Sequence, residues 1–140
     1  MNIIVRLARR DGLEDFLKLN EEFNGVDSSS LQISVWTDDS NEIVAIGYVD
    51  DNAVGFACAQ SFVSFCYNSP QGEITEMYVK EAFRGKGIAR SLIACLEKEL
   101  QSRGVRIIKI LIGRNNEIAI KTYENANYIV KNEIVLQKKI

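Results

Sequence analysis

Between residues 72 and 112 the chain sets a strand-length run (72–79), a turn holding two glycines, a helix-length stretch and a second apolar run (107–112). The helical stretch carries Ile88, Leu92, Cys95, Leu96 and Leu100 on one stripe, and Arg103-Gly104 closes it. Two strands joined through a helix can pair only in parallel, and the crossover is right-handed in nearly all proteins. This unit therefore commits the chain to an α/β sheet. The run at 107–112 reads as a buried parallel strand.

The flanking segments add mixed pairing. Residues 3–8 read as a first strand, and Asp11 opens a helix with Leu13, Phe16, Leu17 and Phe23 on one face, stopped at Asn24-Gly25. Ser28, Ser29 and Ser30 start a short second helix reaching Asp38. Residues 43–49 and 53–65, parted by Asp50-Asp51-Asn52, form a hairpin signal. Residues 66–71 are a loop, 116–126 a helix and 128–136 a final strand. The predicted architecture is one α/β domain over residues 1–140, with a mixed, mostly antiparallel sheet, the parallel strand–helix–strand unit, and helices on both faces.

Composition removes several classes of chemistry. The 140 residues contain no histidine, which excludes Ser-His-Asp and Cys-His arrangements and His-based metal motifs. Cys58, Cys66 and Cys95 are odd in number with no Cys-x-x-Cys spacing, so neither a disulfide framework nor a metal site is expected. They read as reduced thiols, at least two of them buried. No apolar stretch approaches the roughly 20 residues of a membrane span, and the first residues lack the order of a signal peptide, so a cytoplasmic protein is expected. Charge is uneven: residues 11–52 hold eleven acids against one base, Lys18, while residues 72–140 hold thirteen bases against eight acids. Such a division suits a protein that holds a cation with one part and a polyanion with the other, and also an ordinary solvated surface. Basic residues without aromatic interleaving disfavour nucleic acid.

The segment Arg84-Gly85-Lys86-Gly87-Ile88-Ala89 joins a strand to a helix start. Glycines let the backbone bend without a blocking side chain, and unpaired N–H groups at a helix N-terminus attract anions. The turn matches neither the P-loop nor the dinucleotide fingerprint, because Lys86 is followed by Gly87 and a third glycine is missing.

Arg84-x-x-Gly87-x-Ala89, after the strand Glu73-Ile74-Thr75-Glu76-Met77-Tyr78-Val79, resembles the pyrophosphate-binding signature of the GNAT N-acetyltransferases. A second segment, Asn116-x-x-Ala119-x-x-x-Tyr123-Glu124-x-x-Asn127-Tyr128, is similar to that family's later Asn-x-x-Ala-x-x-x-Tyr-Glu-x-x-Gly-Phe pattern. Asn127 stands where glycine is usual and can adopt the same left-handed backbone; Tyr128 keeps the aromatic ring. The resemblance implies a GNAT-like fold and acetyl-coenzyme A as cofactor. The pyrophosphate would be held by Arg84, Gly85, Lys86, Gly87, Ile88 and Ala89, and the pantetheine arm by the strand at Met77, Tyr78 and Val79. Asn116 would contact the cofactor, and Tyr123 would touch it and protonate the departing thiolate.

Phenol chemistry supports the last role independently, since a group with a pKa near 10 is protonated at neutral pH. Tyr123 as a core aromatic is the plain alternative. An ammonium must lose a proton before it attacks, which makes Glu73 a candidate base, direct or through water, and Glu76 a contact for the substrate ammonium. On a regular strand residues 73 and 76 face opposite sides, and a bulge would bring them together. The acceptor region implied by the resemblance holds Asp27, Trp36, Asp38 and Asp39, a set that suits a cationic amine such as an aminoglycoside or polyamine. A protein N-terminus or lysine is the alternative acceptor, and a non-catalytic acetyl-coenzyme A-binding module the alternative of another class. A homodimer is compatible with the resemblance.

Overall fold

The structure, a computed structural model, describes residues 1–27 and 40–140. In chain order its elements are β1 (Ile3–Leu7), α1 (Leu13–Asn24), β2 (Glu42–Val49), β3 (Asn52–Phe62), β4 (Gln71–Val79), α2 (Ile88–Ser102), β5 (Ile107–Ile110) and α3 (Glu117–Glu124). The strands make one sheet in the order β1-β2-β3-β4-β5, antiparallel as far as β4 and parallel between β4 and β5. The expected crossover is therefore present as β4-α2-β5.

β2 and β3 sit inside the sheet and bury side chains on both faces. Ile43, Ala45, Val54, Ala57 and Ala59 point to one face, where α2 lays Ile88, Leu92, Ile93, Leu96 and Leu100 against them. Alanines at 45, 57 and 59 leave room for a helix to approach closely, and all three are fully buried. Val44, Ile46, Tyr48, Phe56 and Cys58 point to the other face and meet Phe16 and Leu19 of α1. Phe16 meets Phe56 edge-on at 5.2 Å between ring centroids. Helices thus cover both faces, as the sequence predicts.

Local signals behave as their chemistry demands. The β2–β3 turn is Asp50-Asp51, both with positive φ (48° and 70°), the two-residue geometry that matches strand twist. Gly25 stops α1 in the left-handed conformation (φ 66°), and Gly104 (φ 86°) follows α2.

Four expectations are corrected or fall elsewhere. Residues 128–136 form no strand; from Ile129 to Ile140 every residue is exposed. β5 is an edge strand rather than a buried one, because nothing among the described residues pairs on its outer side, and Ile107 is 56% exposed. Only Cys58 is buried; Cys95 is half-buried and Cys66 exposed. The short helix expected at 28–38 lies outside the described residues.

Candidate functional site

β4 is nine residues long, but β5 pairs only with Gln71, Gly72, Glu73 and Ile74. Beyond Ile74 the two parallel strands part, and the edge of β4 from Thr75 to Val79 is open on that side. Backbone groups alternate in direction along a strand. The Lys80 N–H donates to Val54 on β3 (2.8 Å), so Tyr78 also faces β3 while Met77 and Val79 face the open edge. Arg84 Nε donates to the Val79 carbonyl (2.8 Å), which ties the following loop to that edge.

That loop runs through a 3-10 turn at Glu81–Phe83 into α2, whose N-cap is Gly87. Gly85 (φ 75°) and Gly87 (φ 83°) are both left-handed, a conformation that costs any other residue strain. A Cβ added at either would meet nothing within 4 Å, so backbone conformation rather than crowding is what favours glycine there. The first bond into the helix is from Ser91 N–H to the Gly87 carbonyl (3.1 Å). No acceptor among the described residues is given to the N–H groups of Gly85 through Arg90. Arg84, Lys86 and Arg90 belong to the same stretch of chain, and the first turn of α2 holds no acid. Six N–H groups without a backbone acceptor, a helix N-terminus and three cationic residues in one stretch suit a polyanion such as a pyrophosphate.

α3 supplies the neighbouring side chains. Asn116 caps this helix, its Oδ1 accepting from Ala119 N–H at 3.1 Å. Asn127 has φ 71°, the left-handed geometry expected of it. Tyr123 is 3% exposed and packs in the cluster that holds Val79, Ile88 and Leu92, with its ring edge-on to Tyr128 at 5.3 Å. Its hydroxyl is buried and has no hydrogen-bond partner among the described residues. Burial raises its pKa well above the phenolic value, so the proton stays on Oη across the neutral range.

The two carboxylates of β4 are brought to one face by a bulge. Cys58 of β3 pairs with Glu76 while the adjacent Ala59 pairs with Ile74, which leaves Thr75 as the extra residue. Cys58 faces α1, so Glu76 opposite it does too; Glu73, opposite Gln60, also lies on that side. Burial pushes the Cys58 thiol up, and the Glu42 and Glu76 carboxylates add to it. Glu42, Glu73 and Glu76 thus share a face, with Gln60 Nε2 donating to Glu42 at 3.3 Å.

The Tyr78 side chain turns toward α1, stacks on Phe23 at 4.9 Å and donates to Glu22 at 2.9 Å. Asp27 is exposed just beyond α1. Trp36, Asp38 and Asp39 lie outside the described residues. The sequence reading stopped at Ala89 and missed Arg90, although a helix leaves its first N–H groups unpaired there as well. It also missed Glu42, whose place beside Glu73 depends on cross-strand register. Among the described residues no group of His, Cys, Asp or Glu could hold a metal.

A model described as the acetyltransferase (GNAT) family matches residues 9–128. An uncharacterized N-acetyltransferase of Methanocaldococcus jannaschii is 28% identical across 97% of this chain and 66% of its own length. The chain spans between about half and about two thirds of the length of the curated relatives it matches. The aminoglycoside acetyltransferase AAC(6')-Iy, solved with the bisubstrate analogue CoA-S-monomethyl-acetylneamine, superposes with a TM-score of 0.86 at 20% identity, over 100% of this chain and 99% of that one. A ribosomal-protein-alanine N-acetyltransferase from Brucella melitensis biovar Abortus 2308 superposes at 0.82 and 20% identity, over 99% and 100%. These superpositions show a common fold alone, and the two names carry different acceptors. No helix among the described residues is long and apolar enough to cross a membrane. With the family model spanning from Arg9 to Tyr128, across both the open strand edge and the N–H turn, the chain belongs to the GNAT acetyltransferase family.

Proposed function

We propose that this protein transfers an acetyl group from acetyl-coenzyme A to a primary amine of a small cationic acceptor. The observation that carries the reading is the open edge of β4 at Met77 and Val79 with the N–H turn at Gly85–Arg90 tied to it by the Arg84–Val79 bond. Backbone amides on such an edge suit the amides of a pantetheine arm, and the turn suits a pyrophosphate. The buried Tyr123 hydroxyl, without a partner among the described residues and in one core cluster with Val79 and Ile88, suits the same ligand. Acetyl-coenzyme A, when bound, supplies a thioester whose carbonyl carbon takes the amine and whose sulfur departs.

The chain's own residues would then divide the work. Glu73, direct or through one water, takes the proton from the ammonium, while Glu76 and Glu42 hold the cationic acceptor on the α1 side of the sheet. Tyr123 Oη keeps its proton through neutral pH and can give it to the departing sulfur. The acid-rich first third of the chain supports a cationic acceptor; Trp36, Asp38 and Asp39 would belong to that side. A peptide N-terminus is the second reading, favoured by the ribosomal-protein-alanine enzyme of the same fold.

Calorimetry with acetyl-coenzyme A tests the donor. Saturable binding is expected, weakened on the order of 100-fold by Gly87→Glu, which puts a strained residue and a negative charge on the N–H turn. No binding, or binding indifferent to that change, would refute the reading. Thiol release across aminoglycosides, polyamines and peptides then identifies the acceptor.

A further inference from the structure

β5 brings a cation to the acid face of the sheet. Ile108 and Ile110 pack into the cluster under α2, so Ile107 and Lys109, which alternate with them, lie on the α1 side, where both are exposed. Lys109 pairs with Glu73 and Ile110 with Ile74 in the parallel register. Ile74 also belongs to the α2 cluster, which puts Glu73 and Lys109 side by side on the opposite face. Gln60 and Glu42 continue the row across β3 and β2. Lys109 is the cation of that row, and it forms no hydrogen bond or ion pair among the described residues.

Lys109 also stands at a particular height on the sheet. Its pair with Glu73 is the last but one before β4 and β5 separate after Ile74 and Ile110. The donor proposed above would have its pyrophosphate on the turn at Gly85–Arg90 and its arm along the edge at Val79 and Met77. From Val79 to Thr75 that edge runs about 13 Å, at roughly 3.3 Å per residue. An arm laid along it brings its far end to the fork where the two strands join. At the fork a carboxylate that can take a proton and a lysine amine stand on neighbouring strands, about 4.8 Å apart.

We infer that Lys109 is an acetylation site of the protein itself, its amine taking the acetyl group of acetyl-coenzyme A bound to the same chain when no other acceptor is present. The Lys109 ammonium gives a proton to Glu73, directly or through one water. Nζ then bonds to the thioester carbonyl carbon, the C–S bond breaks, and the sulfur leaves with its electron pair and takes a proton from Tyr123 Oη. The products are Nε-acetylated Lys109 and free coenzyme A, and the row loses its positive charge. The inference rests on the donor reading under the proposed function.

Intact mass and peptide mapping of the full chain, incubated with acetyl-coenzyme A and no added amine, test it. One acetyl group per chain is expected, at Lys109, at a rate that saturates with acetyl-coenzyme A and is independent of protein concentration. Lys109→Arg, at an exposed position, should keep the circular dichroism spectrum and stay unmodified. Glu73→Gln should slow the reaction on the order of 100-fold. A second readout needs no turnover: coenzyme A should shield Lys109 from trace labelling by an amine reagent and leave Lys98, exposed on α2, unshielded. Binding of coenzyme A without that shielding overturns the inference and leaves the donor reading standing. So does an unmodified Lys109, acetyl spread over several lysines, a per-chain rate that rises with protein concentration, or an unchanged rate in Glu73→Gln. No binding of coenzyme A overturns both. If Lys109→Arg does not fold, mapping and shielding on the wild type decide the matter.

Discussion

Replacing Tyr123 by phenylalanine removes one oxygen that is buried without a partner among the described residues. A buried polar group left unpaired costs about 1–3 kcal/mol, and the ring that remains keeps its contacts with Tyr128 and the α2 cluster. The change should therefore stabilise the ligand-free protein, by about 1–2 kcal/mol. With an unfolding entropy of roughly 2.1 cal/mol/K per residue, a chain of 140 residues gains about 3–7 °C in Tm. Turnover should move the other way. A positioned proton donor contributes on the order of 10²–10⁴ in rate, and its loss should appear in kcat. Differential scanning calorimetry and a thiol-release assay on the same preparations read the two effects. A structural tyrosine would lower Tm on substitution and leave kcat alone. Either a fall in Tm or an unchanged kcat would therefore refute the role assigned to Oη.

Two further outcomes are expected. Asn116→Ala removes the cap on Ala119 N–H and should cost about 1 kcal/mol, read as a lower Tm and faster amide exchange in the first turn of α3; the result is wrong if exchange there is unchanged. Tyr48, held by Asp15 at 2.9 Å and buried, has its pKa raised from 10 to about 12. Its folded value lies above the unfolded one, so its contribution is complete below about pH 10 and is lost as pH rises toward 12, at up to about 1.4 kcal/mol per unit. Urea titrations at pH 9–11 should show Tyr48→Phe with a shallower decline than the wild type, and parallel slopes would contradict this.

Most of the scaffold could be read from local signals, because those signals are also what builds it. The stripe from Ile88 to Leu100 is the buried stripe of α2, Gly25 stops α1, and Asn127 takes the left-handed conformation expected of it. The N–H turn was legible for the same reason: two glycines before a helix leave the same donors unpaired in any context. What local signals did not announce depended on partners far along the chain. The apolar residues at 128–136 suggest a strand, but a strand also needs an edge to pair with, which composition alone does not supply. The run at 107–112 has strand composition, yet its burial was decided by its lying last in the sheet. Glu42 joined Glu73 and Glu76 only through pairing across β3, and Tyr78 was drawn to α1 by Glu22, 56 positions away. Arg84, read as an anion ligand, also fastens its loop to the Val79 carbonyl, a bond that no spacing rule announces.

Thr75 divides β4 into two reading phases. Upstream, the side chains follow the frame set by the pairing of Gln71–Ile74 with β5; downstream they follow a frame slipped by one, in which Met77 and Val79 serve the open edge. The strand therefore works as two short rulers joined at an offset. On the proposed reading, a side chain at 73 or 76 can change without altering the backbone frame that leaves Met77 and Val79 on the open edge. A family built on such a strand can retune one side of its chemistry while the other stays in register.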